Sequence, residues 1–141
     1  KNNQFGIYGE LFTALQNPYF EAPIPVASSL EVKEAPAKIY TVLEGGTIEE
    51  FDVEIERVKR QYKPAEKGLI IKITDHKLLD RTGGIIQGMS GSPIVQDEKL
   101  VGVVTHVFVN DSTQGYGILA QWMLMQTKYW EKIESTREKV S

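Results

Sequence analysis

The sequence predicts a mainly β domain that ends in an amphipathic helix. Short runs rich in β-branched and aromatic residues recur as far as Ile118, separated by Gly, Pro, Asn and Asp clusters. One of them, Phe51-Asp52-Val53-Glu54-Ile55, alternates strictly between apolar and charged residues, the period of a half-buried strand. From Leu119 the period changes: Leu119, Trp122, Met123, Met125, Tyr129, Trp130 and Ile133 recur at helical intervals.

In chain order, Phe5-Gly6-Ile7-Tyr8-Gly9 alternates large and small residues and reads as a short strand with close backbone contacts. Leu11 to Pro25 carries three prolines and reads as an irregular loop, followed by an extended Val26-Ala27-Ser28. Lys38 to Leu43 has strand composition. Glu44-Gly45-Gly46 turns it into a second strand from Ile48 to Val58, and the two are expected to form a hairpin. Gln61 to Lys67 is a polar connection, and Gly68 to Thr74 is a more buried strand. His76 to Arg81 has room for one helical turn, with Thr74 or Asp75 as its N-cap. A further hairpin joins Ser92–Gln96 to Lys99–Val109, and Asn110 to Gly115 is a turn before a last strand at Tyr116-Gly117-Ile118. The terminal helix runs to about Glu138 and is expected to pack its Met and aromatic stripe on a barrel, a partner surface being the other reading.

The chain of 141 residues is long enough for one domain with a core of its own. Its net charge of −3, with the signs interspersed, gives no footprint for nucleic acid or an anionic membrane. It has no cysteine, which excludes disulfides, thiolate metal sites and a Cys nucleophile. Its two histidines have no carboxylate or Cys at a metal-ligand spacing, so neither a metal nor another cofactor is expected. No stretch is as long and apolar as a membrane span. The chain begins Lys1-Asn2-Asn3, and it is read as a fragment or processed form with any export signal upstream.

The most informative stretch is Gly83 to Pro93. Its last six residues, Gly88-Met89-Ser90-Gly91-Ser92-Pro93, match the Gly-x-Ser-Gly-x-Pro pattern around the nucleophile of serine peptidases with the chymotrypsin-like double-barrel fold. A serine hydroxyl is a poor nucleophile and must be held beside a base. The oxyanion it creates must meet preset N–H donors, and a Gly-rich turn lets Gly88 and Ser90 supply them. An ordinary Gly/Ser/Pro turn is the competing reading.

Over nearly its whole length the chain resembles the SpoIVB-type sporulation peptidases. The resemblance rests on Thr82 to Ile94, on Val104-Thr105-His106-Val107-Phe108-Val109-Asn110-Asp111 with Gly115-Tyr116-Gly117, and on Phe5 to Gly9, Phe51 to Ile55, Ile73-Thr74-Asp75 and Trp122-Met123-Leu124. It implies a chymotrypsin-like β-barrel, incomplete on its N-terminal side, whose residues 1–141 form the C-terminal part of a serine peptidase domain. It implies an exported endopeptidase acting between the forespore and mother-cell membranes. There it would cleave itself and a membrane-anchored regulator of a membrane-embedded protease, and so license processing of a late sigma factor. A PDZ module would lie upstream.

Carried onto this sequence, the resemblance makes Ser90 the nucleophile and Asp75 the acid of the triad, with Gly88 and Ser90 as the oxyanion hole. The family base is a His in a Gly-His pair upstream of the matched region. No His precedes Asp75 here, so the base is expected outside this chain and the chain alone is expected to be inactive. His76 stands where relatives often carry Pro. Several alternatives stay open from the residues themselves. Asp75 can instead be a helix N-cap, and it lies closer to the serine than the acid of the better-known double-barrel enzymes. His106 can be a structural strand residue or line the substrate cleft, His76 can face solvent, and Lys72 can be a solvent-face residue or half of a Ser–Lys dyad. A different functional class also remains: a non-catalytic β-domain that binds a peptide or protein by strand addition.

Overall fold

In the computed structural model, residues 2–7, 17–60 and 64–140 are described here. A short hairpin of β1 (Asn2–Asn3) and β2 (Gly6–Ile7) precedes a closed antiparallel barrel. The barrel strands are β3 (Pro36–Val42), β4 (Ile48–Val58), β5 (Leu69–Ile73), β6 (Pro93–Gln96), β7 (Lys99–Val107) and β8 (Gln114–Leu119). Their order around the barrel is β3-β4-β5-β8-β7-β6. Closure is made by β3 on β6, where Lys38 faces Val95 and Ile39 faces Ile94. The fold is mainly β as expected, and the barrel, expected to be incomplete on its N-terminal side, is closed.

The alternation in β4 has the predicted physical result. Phe51, Val53 and Ile55 are buried, while Asp52 and Glu56 face solvent. The core continues through Ile39, Leu69, Ile71, Ile73, Ile94, Val101 and Val104, all nearly free of solvent. Burying such side chains is worth roughly 1.5–3 kcal/mol each before the ordering entropy is counted. One buried polar side chain, Gln96, staples the chain entering β3. Its Oε1 accepts from Lys33 N at 2.9 Å, and its Nε2 donates to the carbonyls of Lys33 and Pro36 at 3.1 and 3.2 Å. The extended segment at Val26 appears as a parallel bridge to Leu100, with Ala27 N donating to Leu100 O at 2.9 Å.

Several elements differ from their sequence expectation. The strand read at Phe5–Gly9 is the two residues Gly6–Ile7; Tyr8 and Gly9 lie outside the described residues. The helical turn after β5 is a seven-residue helix, α1 (His76–Thr82), closed by Gly83 in the left-handed conformation at φ 72°. The terminal helix is two helices, α2 (Ala120–Leu124) and α3 (Lys128–Val140). Between them the chain tightens into a turn in which Gln126 N donates to Met123 O and Thr127 N to Leu124 O, the latter carbonyl also accepting from Thr127 Oγ1 at 2.6 Å. Among the described side chains, barrel packing comes from α2 and its C-cap: Ala120 and Trp122 are buried and Met125 packs against the core. The described side chains of α3, Lys132 and Ser135 to Val140, are exposed. The side chains of Tyr129, Trp130 and Ile133 lie outside the described residues, so the expected stripe is seen only as far as α2.

Candidate active site

The loop from α1 to β6 carries the serine, and its shape is set from both ends. Gly83 N caps α1 by donating to Leu79 O at 2.8 Å. Gly84 then runs against Ser112 of the β7–β8 turn at φ 140°, where a Cβ would collide with the Ser112 backbone. Ile85 N donates to Ser112 O at 2.7 Å and Ser112 Oγ to Gly83 O at 3.0 Å. The turn read at Asn110–Gly115 therefore also clamps the serine loop. That turn holds its own shape through Asp111, whose Oδ1 accepts from Thr113 N and Thr113 Oγ1 at 3.0 and 2.6 Å.

The next residues place a buried anchor between two glycine-dependent bends. Gly88 and Gly91 have φ of 97° and 88°, a region that L side chains rarely occupy. Met89 between them is 1% exposed and belongs to the core cluster. Its Sδ accepts from Ile86 N at 3.4 Å, and its own N–H donates to Ile86 O at 3.2 Å. The loop then returns to the barrel. Gly91 N donates to Val104 O at 2.8 Å, Ser92 N to Met89 O at 3.0 Å, and the buried Ser92 Oγ to Thr41 Oγ1 at 2.9 Å.

What this leaves unpaired matters chemically. Among the described residues, the N–H groups of Gly88 and Ser90 donate to no protein acceptor, while those of Met89, Gly91 and Ser92 are all engaged. Gly88 and Ser90 are both exposed. An oxyanion requires free N–H donors, and these two belong to exposed residues at the serine itself. Ser90 Oγ donates to Thr105 O at 2.9 Å. That carbonyl is available because β7 bulges between Val104 and His106, and Thr105 Oγ1 donates to Tyr116 O at 3.2 Å across the bulge. A bulge of this kind re-aims the residue it inserts.

Ser90 and Gly91 lie on a cleft of about 500 Å³. It is bounded by the β1–β2 hairpin, by Val103 to His106 of β7, by Ile118 and Met123, and by Glu66 from the β4–β5 connection. His106 is thus exposed on the cleft shared with Ser90, at the end of β7. His76 is exposed at the start of α1, and Lys72 is exposed on the outer face of β5.

Asp75 caps α1. Its Oδ1 accepts from Lys77 N and Leu78 N at 3.0 and 3.3 Å, and its Oδ2 accepts from Asp52 N at 3.1 Å. Partial burial acts to raise its pKa, but the N–H groups of Asp52, Leu78 and Lys77 outweigh this and hold the carboxyl below its usual value. Asp75 is therefore an oriented carboxylate whose Oδ2 carries one hydrogen bond. The two sequence alternatives for it are not mutually exclusive: the cap is seen directly, and the second lone pair of Oδ2 is not taken by a described residue.

The SpoIVB peptidase S55 family model matches residues 1–124. The chain belongs to that family. Among solved structures, the S55 chain is similar to the Rv3671c protease of M. tuberculosis. Against its active form the TM-score is 0.53 at 20% identity, over 77% of this chain and 48% of that one. Against an inactive serine-to-alanine mutant from strain H37Rv the TM-score is 0.54 at 20% identity, over 84% of this chain and 57% of that one. At that identity the likeness carries the fold alone, and the S55 chain spans about half the length of these proteases. No curated protein matches it.

Met89, Thr105 and Glu66 were not singled out from the sequence as parts of this site. Met89 is an apolar side chain between two glycine-dependent bends of an otherwise exposed loop, so its burial was in principle legible. The approach of Thr105 and Glu66 to Ser90 depends on strands far apart in sequence.

Proposed function

We propose that the chain is the nucleophile-bearing part of a serine endopeptidase, with Ser90 as the attacking group and the N–H groups of Gly88 and Ser90 as its oxyanion hole. The observation that carries this reading is the exposed Ser90 on a loop whose two flanking donors are unpaired, in a chain of a serine peptidase family.

In the reaction, Ser90 Oγ leaves its bond to Thr105 O and attacks the scissile carbonyl carbon as a base takes its proton. The oxyanion forms against Gly88 and Ser90 N–H. The base then protonates the leaving amine, and water releases the acyl group by the same steps in reverse. By family resemblance the base is a histidine supplied by the upstream segment, and Asp75 is the acid that orients it and stabilises its imidazolium. Without that base, rates roughly 10⁴ to 10⁶ lower are expected of the isolated chain.

The same resemblance supports the wider role: an exported signalling protease of spore formation, cleaving itself and a membrane-anchored regulator of a membrane-embedded protease, with a PDZ module upstream. Among the described residues no helix is long and apolar enough to cross a membrane.

Fluorophosphonate labelling of the full-length protein tests the chemistry. Labelling at Ser90 that is lost in Ser90→Ala is the expected result. No labelling of a correctly folded full-length protein favours the second reading, a non-catalytic binding domain. That reading draws on the bond from Ser90 Oγ to a backbone carbonyl, which leaves the hydroxyl at rest.

A further inference from the structure

The cleft beside Ser90 has an uneven chemistry. Its walls are mostly apolar, with Val103, Ile118 and Met123 from the barrel side and Phe5 from the β1–β2 hairpin, and carry the uncharged polar side chains of Asn3, Gln4 and Thr105. Its one carboxylate among the described residues is Glu66, which is exposed and makes no ion pair or hydrogen bond with any of them. The neighbouring cation does not neutralise it, because Lys67 Nζ lies over the Tyr116 ring, 4.7 Å from the centroid. Among the described residues, His106 is the other titratable side chain on the cleft.

Apolar walls with a single free carboxylate suit one kind of side chain. Lysine and arginine lay a stem of methylenes on apolar surface and carry their charge to a polar edge. An aliphatic residue would fill the walls and leave Glu66 unmatched. An acidic residue would meet a like charge. The cleft volume of about 500 Å³ is ample for a long side chain.

We infer that this cleft is a specificity site for a lysine or arginine side chain of the peptide substrate, with its stem along Val103, Ile118 and Met123 and its charge at Glu66. The inference rests on Ser90 being the nucleophile of the same cleft.

The test uses the full-length protein and three peptide diphenyl phosphonates that differ only in carrying a lysine, norleucine or glutamate side chain beside the phosphorus. Each reacts by forming a bond from Ser90 Oγ to phosphorus as phenoxide leaves and takes up the displaced proton, and intact mass follows the rate. The lysine probe is expected to react up to about fivefold faster than norleucine, the size an ion pair at a solvent-open site gives. Glu66→Gln should erase that ratio, and Glu66→Lys should shift the preference to the glutamate probe. Ratios taken within each variant cancel any loss of folded protein. Equal lysine and norleucine rates, or a ratio that survives Glu66→Gln, overturn the inference while leaving the peptidase reading intact. If a small fluorophosphonate also fails to label Ser90, both fall together.

Discussion

Met89→Ala is the perturbation that most directly separates an anchored nucleophile loop from a loop that merely contains a serine. Met89 is 1% exposed, so truncation removes a fully buried side chain and leaves a cavity beneath Ser90. Truncations of this kind cost about 2–5 kcal/mol. The loop can partly collapse on one side, which places the expected loss near 3 kcal/mol. The N–H of Ile86 also loses its acceptor at Met89 Sδ, but Ile86 is exposed and water can replace it. In urea the midpoint should fall by about 1–3 M. Met89→Leu keeps volume and apolarity and should cost less than about 1.5 kcal/mol. Ile55→Ala, a fully buried truncation in β4, provides a stability-matched control. In the full-length protein, at a temperature where both alanine variants are folded, fluorophosphonate labelling of Ser90 should slow in Met89→Ala and not in Ile55→Ala. A Met89→Ala cost below about 1 kcal/mol, or equal slowing in the two variants, would refute the anchoring argument.

Two further outcomes follow from the electrostatics. Asp75→Ala removes the cap of α1 and the acceptor of Asp52 N, so denaturant midpoints should report a loss of about 1–2 kcal/mol. Because the folded-state pKa of Asp75 is depressed, its contribution is present above the unfolded carboxyl value and is lost as pH falls through the folded one. Asp75→Asn should therefore flatten the acid limb of the stability profile, and an unchanged limb would count against the cap. Tyr40 is shielded by burial and donates to Glu50 Oε2 at 2.7 Å, which pushes its phenol up to about 12. Its contribution is complete below the usual tyrosine value near 10 and is lost as pH rises through the folded one. Absorbance titration should show one late-titrating tyrosine that disappears in Tyr40→Phe, with the remaining transitions kept.

How much of this was legible beforehand depends on the range of the interaction. The alternation of Phe51 to Ile55, the turn at Glu44–Gly46 and the Gly-rich bends around Ser90 are legible as local patterns, because each is governed by a backbone period or by positive-φ geometry within a few residues. The helix from Leu119 was legible in type but not in continuity. Its intervals were counted through Met125, where tertiary packing of Trp122 and Met125 ends and the chain closes a tight turn. For Asp75 the residues left cap and acid open together, and the cap is what the local backbone makes of it.

From the residues alone came the β class, the inward face of β4, the Gly-dependent bends at positions 88 and 91, and Ser90 as the residue of interest. Folding in three dimensions added the closure of β3 on β6, the bulge that brings the Thr105 carbonyl to Ser90 Oγ, the clamp of Ser112 on Gly84, and the presence of Glu66 on the serine's cleft. The division has one cause. A side chain's period and its allowed φ are properties of neighbouring residues, whereas barrel register is chosen by how the whole core packs and determines which distant residues meet.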